Sequence, residues 1–231
     1  MTEPVPALVT LHLWRVPPSR VPTALLRMAT ERGRARRTPG VGFAKMMGTG
    51  DGRTFTVRDS DPTRWAALTT WTSRAAADRY SVAARWDAIA SESWRVELTP
   101  ISSRGSWSGR APFGNPTPRR VAGPVVAITR ARLTTRRAAS FWRAVPPVSA
   151  ELRRSPGLLA AVGIGEAPVG LQGTFSLWQD SDALREFAHR GPEHADAIRR
   201  TAVEGWYAEE LFARFEVVGS RGTLDGRDPL A

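Results

Sequence analysis

Apolar and polar positions along this chain change rhythm in a fixed order, and they do so twice. Leu8 to Val16 (Leu-Val-Thr-Leu-His-Leu-Trp-Arg-Val) is rich in β-formers and predicts a strand, which Pro17-Pro18-Ser19 ends. Val21 to Arg36 has the spacing of an amphipathic helix, with Leu25, Met28 and Ala29 placed inward. Pro39-Gly40 marks a turn, Val41–Met47 a second strand, Gly48–Arg53 a Gly-rich loop and Ala66–Trp71 a third strand. Ser73 caps a helix reaching Ser91, and Trp94–Ile101 is a fourth strand. The order then returns: strand Val125–Leu133, helix Arg136–Arg154, strands Leu158–Gly165 and Leu171–Trp178, a helical region Ser181–Thr201 and strand Glu210–Val218.

Local sequence repeats along with the pattern. Arg36-Arg37-Thr38-Pro39-Gly40 recurs as Arg153-Arg154-Ser155-Pro156-Gly157, 117 positions later. At that offset Gly48 matches Gly165, and Ser103-Arg104-Gly105 matches Ser220-Arg221-Gly222. Strand–helix–strand–strand–helix–strand is the ferredoxin-like order. The expected fold class is therefore α+β: tandem duplicated ferredoxin-like units, of the dimeric α/β barrel type, with antiparallel sheets. The expected division is 1–101 for the first unit, 102–123 for a linker and 124–231 for the second. The linker is dense in Ser, Gly, Pro and Arg, but its Trp107, Pro112 and Phe113 are too apolar for a plain spacer. They are expected to pack on a domain or line a pocket mouth.

A length of 231 residues gives each half enough chain for its own core, and 42% hydrophobic residues is a globular composition. No apolar run is long enough for a membrane span, and Met1-Thr2-Glu3-Pro4 lacks the start of a secretory signal, so a cytoplasmic location is expected. The net charge of +11 invites a nucleic-acid reading. The basic residues are nearly all arginine and scattered, however, and Lys45 is the single lysine. That pattern fits a GC-rich coding bias and a groove for an anionic ligand, with no nucleic-acid partner. A small-molecule substrate, an electron donor or peroxide, and a homo-oligomer are the partners expected. Without cysteine the chain has no disulfide, thiolate nucleophile, iron–sulfur cluster or cysteine zinc site. No Walker loop, nucleophile elbow or dinucleotide fingerprint is present.

Few candidates for metal chemistry remain. In Arg190-Gly191-Pro192-Glu193-His194, Gly191-Pro192 breaks the helix and proline suits the first position of a new one. His194 then falls in the first turn, where the positive end of the helix dipole favours neutral imidazole, the metal-ligating form. A surface or capping histidine fits the spacing equally. His189 points roughly 140° away on a continuous helix, and His12 reads as a solvated or hydrogen-bonded sheet residue. Gln172, Thr174 and Ser176 share one strand face by alternation, as do Arg130 and Arg132. Lys45 lies mid-strand. Phe175, Trp178 and Phe187 belong to an aromatic set that fits either a core or an apolar pocket. Glu209 or Glu210 is expected to pair with Arg214.

Three stretches carry a family resemblance: Gly170-Leu171-Gln172-Gly173-Thr174-Phe175-Ser176-Leu177-Trp178, His194-Ala195-Asp196-Ala197-Ile198 and Gly205-Trp206-Tyr207-Ala208-Glu209-Glu210-Leu211-Phe212-Ala213-Arg214-Phe215. With Pro39-Gly40-Val41-Gly42-Phe43-Ala44-Lys45 and Gly48-Thr49-Gly50 they resemble the spheroidene monooxygenase family, over roughly Leu13 to Pro229. The resemblance implies a tandem ferredoxin-like fold binding haem b, with His194 as axial iron ligand. Around such a cofactor, strand alternation offers Arg130 and Arg132 for a propionate or bound oxygen and Gln172 and Thr174 as catalytic groups. Lys45 joins them as the one lysine mid-strand, and Phe175, Trp178 and Phe187 fit an apolar lining. A haem in such a fold can serve oxygen or peroxide activation, oxime dehydration or gas sensing. The expectation is a haem-dependent monooxygenase of an apolar or biosynthetic small molecule. The alternatives are a dehydratase or nitrogen-bond-handling haem enzyme, a binding module, and a cofactor-free oxygenase using Trp71 and Trp178.

Overall fold

The computed structural model describes residues 3–53, 59–166, 171–190, 199–201 and 204–231, without the side chains of Thr135, Leu171, Gln172, His189 and Arg190. The first half contributes strands β1 (Leu8–Arg15), β2 (Val41–Gly50), β3 (Ser60–Trp71) and β4 (Glu92–Gly105). The second contributes β5 (Val125–Leu133), β6 (Leu158–Gly165), β7 (Leu171–Trp178) and β8 (Tyr207–Gly222). Helices α1 (Val21–Arg37), α2 (Arg74–Asp78) and α3 (Ser81–Asp87) lie in the first half, α4 (Ala138–Arg154) and α5 (Ser181–Arg190) in the second.

The eight strands form one closed antiparallel barrel in the order β1-β3-β2-β6-β7-β5-β8-β4. Each half thus runs 4-1-3-2 in its own numbering, and the halves join edge to edge through β2–β6 and β4–β8. The pairings recur at the offset seen in the sequence. Val9 faces Leu98 and Val126 faces Phe215; across the seams Gly48 faces Gly165, Trp94 faces Gly222 and Gly105 faces Leu211.

Several local expectations change. The helix begun at Ser73, whose Oγ accepts the Ala76 N–H at 3.2 Å, breaks at Arg79-Tyr80 into α2 and α3. The break sets the buried Tyr80 ring edge-on to Trp71. Strand β3 starts at Ser60 rather than Ala66, and β4 runs past Ile101 to Gly105. Leu25 and Ala29 are exposed; α1 buries Ala24, Met28, Glu31 and Ala35 instead. Glu31 can be buried because Arg34 and Arg85 both donate to its Oε1.

Side chains alternate across each strand, and the set facing the lumen comes from both halves. Leu11, Leu68, Trp94, Val96, Phe175 and Phe215 belong to one buried cluster. The lumen is thus a packed core, as small barrels require. Trp107 and Phe113, from the segment between the halves, join it: Trp107 is edge-on to Phe43 and Phe113 edge-on to Phe215. Leu224 enters the same cluster from the other end.

The two plugs share a motif, Ser103-Arg104-Gly105-Ser106-Trp107-Ser108-Gly109-Arg110 and Ser220-Arg221-Gly222-Thr223-Leu224-Asp225-Gly226-Arg227. Each folds through a small bridge, Trp107 to Arg110 and Leu224 to Arg227. Each chain reversal starts at a glycine of positive φ, 87° at Gly105 and 88° at Gly222. A Cβ at Gly222 would press on the Ser93 carbonyl oxygen, and one at Gly105 on that of Glu210. Gly222→Ala is therefore expected to lower stability by at least about 2 kcal/mol, combining backbone strain with a backbone clash. Chemical denaturation measures this, and a change under about 0.5 kcal/mol would contradict the plug geometry.

Candidate functional site

Two places in this frame concentrate polar chemistry or open space. The first is the lumen end beneath Trp107. Lys45, on the lumen side of β2 with Phe43 and Met47, is ion-paired with Glu166 and donates to Ser108 Oγ at 2.6 Å. Arg130, only 4% exposed, is paired with Glu209 and lies 3.4 Å from Glu166 Oε1. The Trp107 indole N–H donates to that same Glu166 oxygen. Burial works against ionising Glu209, but hydrogen bonds from the Gly109 amide, Arg130 and the Ser108 amide bring its carboxyl down to about 2. At the offset of 117, the other end has Val162, Leu13, Thr49 and Leu224 where this one has Lys45, Arg130, Glu166 and Trp107. Glu92 there keeps the role of Glu209, accepting from Gly226 and Thr223. One end of the lumen therefore holds a buried Lys45–Glu166–Arg130 cluster where its counterpart has Val162, Thr49 and Leu13 beside the Arg15–Glu92 pair.

The second place is the layer between the sheet and its helices. In the first half this layer is filled. Thr10, His12, Trp14, Ala44 and Met46 are all buried on the outer face, beneath an α1 that touches its sheet closely. The corresponding positions of the second half are Ala127, Thr129, Ala131, Ala161 and Gly163. Ala127, Thr129 and Ala161 are half-exposed, as is Thr174 beside them. Above them α4 buries only Val145 and Ser149, while Phe141, Trp142, Val148 and Leu152 stay half-buried. This layer of the second half, termed the cleft, is thus less completely packed than its first-half counterpart, although Ala127 and Leu152 still pack with Trp178 and Leu184.

Its borders are defined. At one edge Trp178 stacks on Phe187 of α5, 5.3 Å between rings, and donates to Ser176 Oγ at 2.9 Å. At another, the Gly50–Gly52 backbone crosses so close to Gly163 that a Cβ there would lie 3.1 Å from it, and Ser149 Oγ donates to Gly52 O. Beside Ala127 in register stands Arg214. Burial pulls its guanidinium down, and the neighbouring Arg185 and Arg104 pull it further. Among the described residues no carboxylate pairs with Arg214. The buried Trp142 indole N–H likewise has no partner.

The residues singled out in the sequence therefore divide. Thr174, Trp178 and Phe187 border the cleft. Lys45, Arg130, Arg132 and Phe175 do not: they lie on the lumen side, with Phe175 in the central core. Arg132 is half-exposed, 4.0 Å from Glu209. The physical reason is alternation, since Phe175 and Trp178 are three apart on one strand and must face opposite ways. The expected pairing of Glu209 or Glu210 with Arg214 is likewise replaced, for Glu209 by Arg130 on the neighbouring strand. His194 lies outside the described residues, and Gln172 is described only in its backbone pairing with Ala131 and Gly165. Glu166 is the partner that reading by residue type missed; Trp107 packs on the barrel as expected, and Arg214 stands beside Ala127 rather than with Glu209. Among the described residues no cluster of three His, Asp or Glu could hold a metal ion.

His12 is neither solvated nor hydrogen-bonded. It stacks on Trp14 at 5.2 Å, both ring nitrogens lack partners, and burial, then Arg95 and Arg221, lower it to about 3. The folded state holds it neutral, while the unfolded chain protonates near 6.5. Stability linked to this group is complete above that value and is lost as pH falls toward 3. His12→Phe is expected to flatten the pH dependence of unfolding free energy between about pH 6.5 and 3, as urea melts at stepped pH would show.

Comparison with known proteins fits this architecture. No protein-family model matches the chain. Two solved aldoxime dehydratases align over 91% of it with TM-scores of 0.62 and 0.61, at 10% and 11% identity; the first was determined in complex with butyraldoxime and is covered over 79% of its length, the second over 80%. At that identity they establish the fold class, a barrel of antiparallel strands with helices outside. The spheroidene monooxygenase of Rhodobacter capsulatus is 37% identical over 222 residues, 92% of this chain and 90% of the relative. That of Rubrivivax gelatinosus is 37% identical over 194 residues, covering 82% and 73%. That of Cereibacter sphaeroides is 36% identical over 197 residues, 83% of this chain but 60% of that longer relative. The chain belongs to the spheroidene monooxygenase family and is an oxygenase.

Proposed function

We propose that this oxygenase is haem b-dependent and acts on an apolar small molecule, with haem seated in the second-half cleft and His194 as its axial ligand. On this reading the halves are two copies of one ferredoxin-like unit, of which only the second kept room for a cofactor. The observation that carries the proposal is that Ala127, Thr129 and Ala161 stay half-exposed where the matching Thr10, His12 and Ala44 of the first half are buried, beneath half-buried aromatic residues of α4. Close packing is the rule in protein interiors, so a stripped face beneath half-buried aromatic residues fits a flat apolar occupant. Haem b also brings two carboxylates, and Arg214, with Arg185 and Arg104 near it, fits them in charge.

When bound, haem would supply oxygen or peroxide activation that this side-chain set lacks. The chain's own residues would do the rest. Phe141, Trp142 and Val145 would hold an apolar substrate and exclude water, and the unpaired Trp142 N–H could donate to an oxygen atom within the cleft. A reductant or peroxide remains the implied co-reactant. The test is an absorption spectrum of purified protein supplemented with haem. A Soret band is expected, and a colourless protein overturns the cofactor assignment. Turnover without oxygen or reductant would instead favour a dehydratase-type reaction.

A further inference from the structure

The face that α1 turns to solvent has no role in either site. Pro22, Leu25, Leu26, Ala29 and Thr30 are exposed along its first turns, Leu25 at 55% and Leu26 at 65%. Arg32, Arg34, Arg36 and Arg37 are exposed along its last turns, and Arg20 stands just before its start. The one carboxylate of the helix, Glu31, is fully buried and already engaged by Arg34 and Arg85. Arg27 Nη1 has no hydrogen-bond partner, and its guanidinium is pulled down by burial first, then by Arg85 and Arg20. Positive charge here exceeds what the protein itself neutralises.

We propose that this face of α1 docks on an anionic lipid surface, Leu25 and Leu26 entering the acyl boundary while the arginines meet headgroup phosphates. The combination selects the partner. A second copy of the same face would bring cations against cations. A nucleic acid would satisfy the arginines but leave the two leucines without use. A bilayer carrying negative lipid accommodates both, as amphipathic surface helices do. No helix among the described residues is long and apolar enough to cross a membrane, so the contact would be peripheral. The matching positions of α4 are Trp142 and Arg143 in place of Leu25 and Leu26, which confines the apolar tip to the first half.

Flotation of the full chain with phosphatidylglycerol vesicles, against phosphatidylcholine vesicles, tests this. Binding is expected only to the anionic vesicles and should weaken with added salt. Arg36→Gln with Arg37→Gln should reduce partitioning roughly fivefold per charge removed. Leu25→Ser with Leu26→Ser should reduce it roughly tenfold or more, with the melting temperature unchanged because both side chains are exposed. The proposal is overturned if the parent chain ignores anionic vesicles, if both variants bind as the parent does, or if duplex DNA retains the chain while vesicles do not. A dimer that the leucine variant dissolves, without vesicle binding, would equally overturn it.

Discussion

Exchanging His194 for alanine is expected to leave the barrel folded and to abolish haem retention. Altering a residue that merely orients a metal ligand costs 10–100-fold in affinity, so losing an axial ligand should cost at least about 100-fold. The variant should show no Soret band at haem concentrations that saturate the parent, with an unchanged far-ultraviolet spectrum. Imidazole added to it should restore part of the band by entering the vacated position. The other histidines make the expectation sharp. His12 is locked between aromatic rings in the filled layer of the first half, away from open space. A full Soret band in the variant would therefore move ligation to His189 or to a non-histidine group.

Replacing Arg130 with leucine should destabilise the chain by about 3–5 kcal/mol, the range for breaking a buried ion pair by removing one partner. Glu209 would lose its closest cation, and Glu166 would keep only Lys45 and Trp107. The other end of the lumen predicts the remedy. There Leu13, Val162 and Thr49 stand for Arg130, Lys45 and Glu166, and Glu92 is served by its plug loop and Arg15. Arg130→Leu, Lys45→Val and Glu166→Thr together should cost less than Arg130→Leu alone, since no charge is left buried without a partner. Urea melts of both variants decide it, and an additive loss would refute the match between the two ends. Because Glu209 is held near 2 and ionises near 4.5 when unfolded, its contribution is present above that value and fades as pH falls from about 4.5 to 2.

The strands and long helices were legible because apolar spacing and turn residues mark them locally. The faces were harder. In a barrel with helices outside, both sides of β5–β7 are covered, so alternation separates Phe175 from Trp178 without saying which looks into the lumen. Hence Arg130 and Lys45, plausible as ligand-binding cations, are engaged by Glu166 and Glu209, which lie far away in sequence. The repeat held more information than residue type did. Comparing matching positions, Thr10 with Ala127, His12 with Thr129 and Ala44 with Ala161, points to the cleft. Reading each half by itself does not, since an alanine or threonine in a strand has no meaning until its buried counterpart is known. The exposure of Leu25 was illegible for a related reason. Its spacing with Met28 fits an inward stripe, but the layer beneath α1 is already filled by Trp14 and Met46 and accepts Ala24 there.

Closure of the eight strands has a consequence for how this molecule can meet others. With β2 bonded to β6 over Gly48–Gly50 and β4 to β8 from Trp94 to Gly105, each strand has a neighbour on both sides, and the long β4–β8 seam leaves no open edge to recruit an extra strand. Strand addition at that seam is unavailable. A partner approaching that seam is read by side chains, and selection for new partners can act on them while the hydrogen-bonded wall stays as it is.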